Sequence, residues 1–202
     1  MEKDLEQAKQ GEGVSAEQHK HLAGGIPERH WNLALVRRTQ ERVCREQVQE
    51  LGWEAYVASQ KETHVYASRN RREVEHILIP NIVFIRLANT ERVTLMKQCP
   101  LIYKFMTDKA GIANEFGRQP YALVTDHEME QLQYMLYHAD SPVNFTDHPL
   151  RKGDTIRVVR GKLKGLEGNY LREGKNAYIV ISIGSLGCAM ANVSIGDIER
   201  VN

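Results

Sequence analysis

Apolar residues along this chain recur with two different periods, and the switches between them mark out its elements. Trp31 to Val36 is an apolar run of strand character leading straight into Arg37 and Arg38. Val43, then Gln47 or Val48, then Leu51 stand at helical spacing over Gln40 to Leu51, with Thr39 placed to cap the start and Gly52 to end it. Trp53 to Ser59 alternates as a strand, Thr63 to Tyr66 follows as another, and Ile77 to Leu87 is the most strand-like run of all. A short helix over Glu91 to Gln98 precedes a strand over Ile102 to Met106. Met129, Leu132, Met135 and Leu136 then line one stripe of a last helix, capped by Asp126 or Thr125. Strand, helix, strand, strand, helix, strand, helix is a split βαβ arrangement. The fold class is therefore α+β, a ferredoxin-like domain with an added helix.

The last quarter of the chain changes character. Gly153 and Asp154 make a turn, Thr155 to Val159 alternates as a short β-branched strand, and Asn169 to Leu171 begins a second. Gly161, Gly165 and Gly168 punctuate the basic loop between them, as the corners of a small, sharply bent β-barrel require. The resulting division is a leader over residues 1–28, a domain over 29–140, a linker over 141–149 and a barrel over 150–202. Pro142 and Pro149 among Ser, Asn, Thr and Asp give that linker a flexible composition, so the two domains are expected to move independently.

Composition narrows the function by exclusion. No apolar run approaches the roughly 18 residues of a membrane span, and the N-terminus is polar and acidic rather than signal-like. Cys44, Cys99 and Cys188 follow neither a disulfide framework nor metal-ligand spacing, which suits a reducing cytoplasm. Residues 1–28 hold three lysines against six acids, whereas residues 150–202 hold nine Lys or Arg against five acids. A basic barrel on a neutral body permits a nucleic-acid partner without demanding one. His19, Lys20 and His21 lack the further ligand a metal site needs. Phosphate-binding loops of the Walker type, His-x-x-x-His spacing and nucleophile elbows are missing from the sequence. Asp126-His127-Glu128 is its one dense acid–base cluster, and at a helix start such residues serve as cap and dipole partners. A binding protein without cofactor or metal is expected, not an enzyme.

Two sets of residues carry a resemblance. Gly153-Asp154-Thr155-Ile156-Arg157-Val158, the Gly161-Lys162-Leu163-Lys164-Gly165 loop and Glu167-Gly168 resemble the KOW motif of NusG-type transcription factors and several ribosomal proteins. In the first domain, Ile79-Pro80-Asn81-Ile82-Val83-Phe84-Ile85 looks like the family's Pro-Gly-Tyr-Val-Phe-Val strand. Trp31 is similar to its opening Trp, and Cys99-Pro100-Leu101-Ile102-Tyr103-Lys104-Phe105 to its Pro-Gly-Val-x-x-Phe element. Asn81 stands where the family has Gly, and Asn is the residue that best tolerates positive φ after glycine. The resemblance covers residues 30 to 202 and implies an NGN-type domain followed by an SH3-like barrel. The Asn, the acidic leader and the Arg-rich segment point to a specialised paralogue, UpxY-like or RfaH-like, over the housekeeping factor.

The resemblance also implies partners. Trp31, Leu35, Ile79, Ile82 and Phe84 match the face that docks on the clamp helices of RNA polymerase, although strand alternation requires Ile82 and Phe84, or Val83 and Ile85, to face inward. Arg37, Arg38 and Gln40 match the segment that contacts non-template DNA in the transcription bubble, with Arg69, Arg71 and Arg72 as a second basic cluster on a hairpin tip. Leu163, Leu166 and Leu186 match the barrel positions that bind a small-subunit ribosomal protein or Rho, and Lys162 and Lys164 flank the same loop, where RNA is the alternative partner. A monomeric elongation and antitermination factor is the expectation. A ribosome-associated, RNA-binding KOW protein is the alternative from another class.

Overall fold

The computed structural model describes residues 28–65, 71–147 and 153–201. The leader, except for Glu28, lies outside the described residues with His19, Lys20 and His21, and so do Arg69 and the side chains of Arg71 and Arg72.

The first domain runs β1 (His30–Val36), α1 (Glu41–Glu50), β2 (Glu54–Tyr56), β3 (Ser59–Val65), β4 (Arg71–Ile77), β5 (Ile82–Leu87), α2 (Arg92–Gln98), β6 (Ile102–Phe105), β7 (Leu123–Val124) and α3 (Asp126–His138). Its sheet has the order β2-β5-β1-β6, with β7 also paired to β1. Placing β5 between β2 and β1 is the split βαβ arrangement that the hydrophobic pattern implies. β3 and β4 form a separate hairpin, in register from Ser59↔Ile77 to Val65↔Arg71.

Both faces of the sheet are buried. Ala34, Val36, Val83, Ile85 and Leu87 pack with Cys44 and Val48 of α1, with Leu95 of α2 and with Cys99 at its C-terminal end. Trp31, Leu33, Ile82 and Phe84 belong instead to the cluster that holds Met129, Leu132, Met135 and Leu136 of α3. Alternation therefore sends Ile82 and Phe84 to one layer and Val83 and Ile85 to the other, and each set is inside. The Cys44 and Cys99 sulfurs approach to 3.8 Å, and burial first, then the neighbouring Cys99, holds the Cys44 thiol well above its ordinary range.

Several boundaries differ from those the pattern implies. The run from Ile77 to Leu87 is broken by a turn at residues 78–81, where Asn81 has φ 68°. Thr39 does not cap α1: at φ 70° it turns the chain, and Gln40 occupies the N-cap position without a side-chain capping bond. For α3 the cap is Thr125 rather than Asp126. Its hydroxyl accepts from Glu128 N while the Glu128 carboxylate accepts from Thr125 N at 2.8 Å, a complete capping box.

The barrel is a six-stranded sheet of order β13-β9-β10-β11-β12-β8. It comprises β8 (Asn144–Thr146), β9 (Thr155–Val158), β10 (Glu167–Glu173), β11 (Asn176–Ile183), β12 (Gly187–Val193) and β13 (Ile198–Arg200). β8 lies inside the segment whose composition reads as linker, yet it pairs with β12 through Phe145↔Ala189. Val143 is buried and Phe145 packs on the core, an apolar alternation that the surrounding turn formers obscure in the sequence. Gly168 is needed for closure, because a Cβ there would stand 2.5 Å from the Val180 carbonyl oxygen.

Two predictions follow from local geometry. A β-branched residue fits positive φ poorly, so Asn81→Val should cost about 1–2 kcal/mol in chemical denaturation while Asn81→Gly stays close to wild type. Glu91 accepts from Ala88 N at 2.8 Å and from the Arg29 guanidinium at 2.7 Å. The Ala88 N–H, then Arg29, hold the Glu91 carboxyl below its ordinary range against the opposing effect of burial. A lowered folded-state value means stability that is present above the ordinary Glu range of about 4.3 and lost as pH falls through the lowered value. Glu91→Gln should therefore flatten the acid limb of a plot of unfolding free energy against pH.

Candidate functional site

Two turns meet at one end of the first domain. The β1–α1 turn carries Arg37, Arg38 and Gln40, and the β4–β5 turn carries Ile79 and Asn81. They are clasped in three ways. Val36 N donates to Asn81 O at 3.0 Å, Asn81 N donates to Glu41 Oε1 at 2.8 Å, and Leu35 sits opposite Ile82 in the β1–β5 ladder. Glu41 is 1% exposed at the start of α1, so this carboxylate is part of the interior although its neighbours are not. Arg37 and Arg38 are exposed and Gln40 is half-buried. The arginines thus present two guanidinium groups on a turn whose shape Thr39 and Glu41 determine.

The residues expected to form a docking face are not laid out as an open surface. Trp31, Ile79, Ile82 and Phe84 are buried, and Leu35 alone of the five is partly exposed, packed against the edge of the same cluster. That cluster does not stop at the domain boundary. It continues through α3 into Ile156, Val158, Ile179, Ile181 and Ile183 of the barrel, together with Leu163, Leu166 and Leu186, all three of them buried. The barrel therefore packs on α3, where independent domains are expected from linker composition.

Polar contacts fix this packing. Gln131 donates to the Glu167 carbonyl at 3.0 Å, and Tyr134 places its hydroxyl 2.9 Å from the Lys164 carbonyl and 3.3 Å from that of Lys162. Glu128, already in the capping box, uses its other oxygen to accept from Gly184 N at 3.0 Å. Gly184 has φ 51°, and a Cβ there would lie 2.4 Å from the Leu123 carbonyl oxygen, so the barrel loop touches β7 backbone to backbone. Lys162 pairs with Asp140 at the rim. Gln60 of β3 secures the connecting segment: its amide accepts from Val143 N at 2.9 Å and donates to Ser141 O at 3.1 Å. Lys162 and Lys164 keep exposed side chains.

Sequence reasoning gave no role to Glu41, Gln60, Gln131 or Tyr134. The burial of Gln60 and Glu41, which obliges each to find partners, is visible only in the fold. Contacts made by Gln131 and Tyr134 run to backbone carbonyls and leave no pattern. Asp126 and Glu128 act as structural groups, Asp126 bonding the Arg86 guanidinium at 2.8 Å. Among the described residues no group of three or more His, Cys, Asp or Glu is placed to hold a metal ion, and no helix is long and apolar enough to cross a membrane.

A split βαβ domain joined to a small Gly-punctuated barrel is the architecture of a class of transcription factors. The family model for NusG, described as transcription termination factor nusG, matches residues 29–133, and this chain belongs to that family. Its first domain is accordingly of NGN type, and a role in transcription elongation comes with the membership. Among solved structures, the chain is similar to one described as domain interaction in Thermotoga maritima NusG. The identity is 14%, over 87% of this chain and 98% of that chain, with a TM-score of 0.43. It is also similar to the MjSpt4:Spt5 complex in conformation A, with 12% identity over 85% of this chain and 98% of that chain and a TM-score of 0.27. No curated protein sequence matches it closely enough to count as a relative.

The backbone contact at Gly184 supplies a test of the packed arrangement. Gly184→Ala places a methyl against the Leu123 carbonyl at a strained φ, so the packing of the barrel on α3 should loosen within the travel that the connecting segment allows. Fluorophores on the two domains should then report a larger separation than in the wild type.

Proposed function

We propose that this protein is an elongation and antitermination factor that binds the clamp helices of RNA polymerase through its first domain, suppresses pausing or termination, and serves particular operons. The reading rests on the family membership of residues 29–133 together with the clasp that joins the Arg37–Arg38 turn to the Ile79–Asn81 turn. One rigid corner thereby offers an apolar edge at Leu35 and two cations beside it. Clamp helices suit the first, and the displaced non-template strand suits the second. Arg69, Arg71 and Arg72, the second basic cluster in the sequence, are the further candidates for DNA contact. Holding one clamp state is a shift of population and requires no chemistry.

The packed barrel adds a layer of control to this reading. Trp31, Ile79, Ile82 and Phe84 share a cluster with α3 and the barrel, so clamp docking through them goes with rearrangement of that packing. Release of the barrel would free Leu163, Leu166 and Leu186 for a ribosomal protein or Rho in the same event. Polymerase binding and partner binding are then coupled by one conformational equilibrium.

The test uses the full chain and separates the two surfaces. Acidic substitution at Ile79 or Phe84 would unfold the domain, since each is buried, so the informative position is Leu35. Leu35→Glu, shown to be folded by its melting curve, should lose polymerase binding in a pull-down, because it places a charge in an apolar contact. Arg37→Ala with Arg38→Ala should keep polymerase binding but lose recruitment to its own transcription unit in a paused-complex assay. Equal loss of polymerase binding in both variants would show that the cations belong to the clamp contact and that the division of roles is wrong.

A further inference from the structure

Three rings stand in a row at the C-terminal end of α3. The centroids of Tyr134 and His138 are 4.3 Å apart, and those of His138 and Tyr137 are 4.8 Å apart with the rings edge to face. Spacings of three and four residues bring them to one side of the helix. The inner end of the row is tied to the barrel, because the Tyr134 hydroxyl engages the carbonyls of Lys162 and Lys164. Those carbonyls face α3, and the loop is closed on itself by Lys164 N to Gly161 O and Leu166 N to Leu163 O. The lysine side chains are left exposed, as is Arg160. Tyr137, at the outer end of the row, is 85% exposed.

An aromatic ring this open contributes almost nothing to either core, and its surroundings are polar. Asp126, Glu130 and Asp140 are the exposed acids along this side of α3; Asp126 is paired with Arg86 and Asp140 with Lys162, which leaves Glu130 against Lys164 and Arg160. A flat unsaturated face beside a net positive, hydrogen-bonded loop fits a ligand with π-faces and regularly spaced negative charges. It fits an apolar protein surface poorly, since no other large apolar side chain is exposed on this part of α3.

We propose that the seam between α3 and the barrel is a binding platform for single-stranded nucleic acid. Tyr137 offers a stacking face to one base, His138 and Tyr134 hold that ring in place, and Lys162, Lys164 and Arg160 contact the phosphates. The platform draws residues from both domains, so it is complete only while the barrel sits on α3. By linkage, a bound strand stabilises the packed form and opposes its release. This surface is separate from the Arg37–Arg38 corner, and it stands or falls independently of clamp binding.

Fluorescence anisotropy with the full chain tests it, using labelled oligouridine RNA and oligothymidine DNA of about ten nucleotides at low salt, a length within the range single-strand sites cover. Saturable binding is expected. Tyr137→Ala should weaken it about tenfold, while Tyr137→Phe retains it. Lys164→Ala should reduce the slope of log affinity against log salt by about 0.7. Gly184→Ala, which touches neither rings nor lysines, should weaken binding by loosening the packing of the two halves. Lys175→Ala, on the β10–β11 turn of the barrel, should bind as wild type. Tighter binding of RNA than DNA would identify a ribose 2′-hydroxyl contact, and equal binding would identify base faces and phosphates alone; both support the platform. Absence of saturable binding to either strand, or equal affinity of Tyr137→Ala and the wild type with both folded, overturns it. So does double-stranded DNA binding as tightly as the single strands.

Discussion

The apolar side chains of α3 have to be covered on more than one side, and the arrangement of the whole molecule follows from that. Met129, Leu132, Met135 and Leu136 are all buried in a helix of only 13 residues. In the first domain, β1 of the sheet and β3 of the separate hairpin lie against α3, and β11 of the barrel covers another side. Burying a Leu or Met side chain is worth about 1.5–3 kcal/mol relative to leaving it in water. A barrel that left α3 without replacement would forfeit part of that for several residues at once. The two domains therefore share one apolar cluster despite being separate in sequence and in fold.

The second constraint is a local hydrogen bond. Glu41 carries a carboxylate into the interior to receive the Asn81 amide, and this ties the turn after β1 to the turn before β5. Positive φ at Thr39 and Asn81 lets both turns close within that space. The exposed arginines at 37 and 38 then stand on a corner defined from beneath by buried atoms. Their placement depends on residues that no partner would touch.

Elements whose evidence is local were legible in the sequence. The split βαβ order, the Gly-punctuated barrel, the capping of α3 at Thr125 or Asp126 and the tolerance of Asn81 for positive φ all depend on neighbours in the chain. Thr39 was misleading because a residue suited to capping is equally able to occupy a turn, and only the entry angle of the chain decides. The clamp-facing set was harder. Alternation can show that Ile82 and Phe84 point away from Val83 and Ile85, but not that a helix 45 residues later covers them. β8 was hidden for a compositional reason: Pro142 and the polar residues around Phe145 outweigh two apolar positions, although an open edge of β12 needs only a short strand to cover it. The docking of the barrel left least trace, since most of its polar contacts end on backbone groups.

The connection between the domains is fastened in two places, by Gln60 at residues 139–143 and by the pairing of β8 with β12. A barrel that leaves α3 with both fastenings intact has almost no chain with which to travel, and one that keeps only β8 remains on a short leash. Short tethers hold their two ends at an effective concentration on the order of millimolar. Any free partner that competes for the same faces must outbid that local concentration, whatever its own affinity. A partner already immobilised beside the first domain, on a large complex that also holds it, meets the barrel on equal terms. The tether thus acts as a filter for place: it favours exchange where the competing surface is itself delivered at high local concentration and suppresses it in free solution.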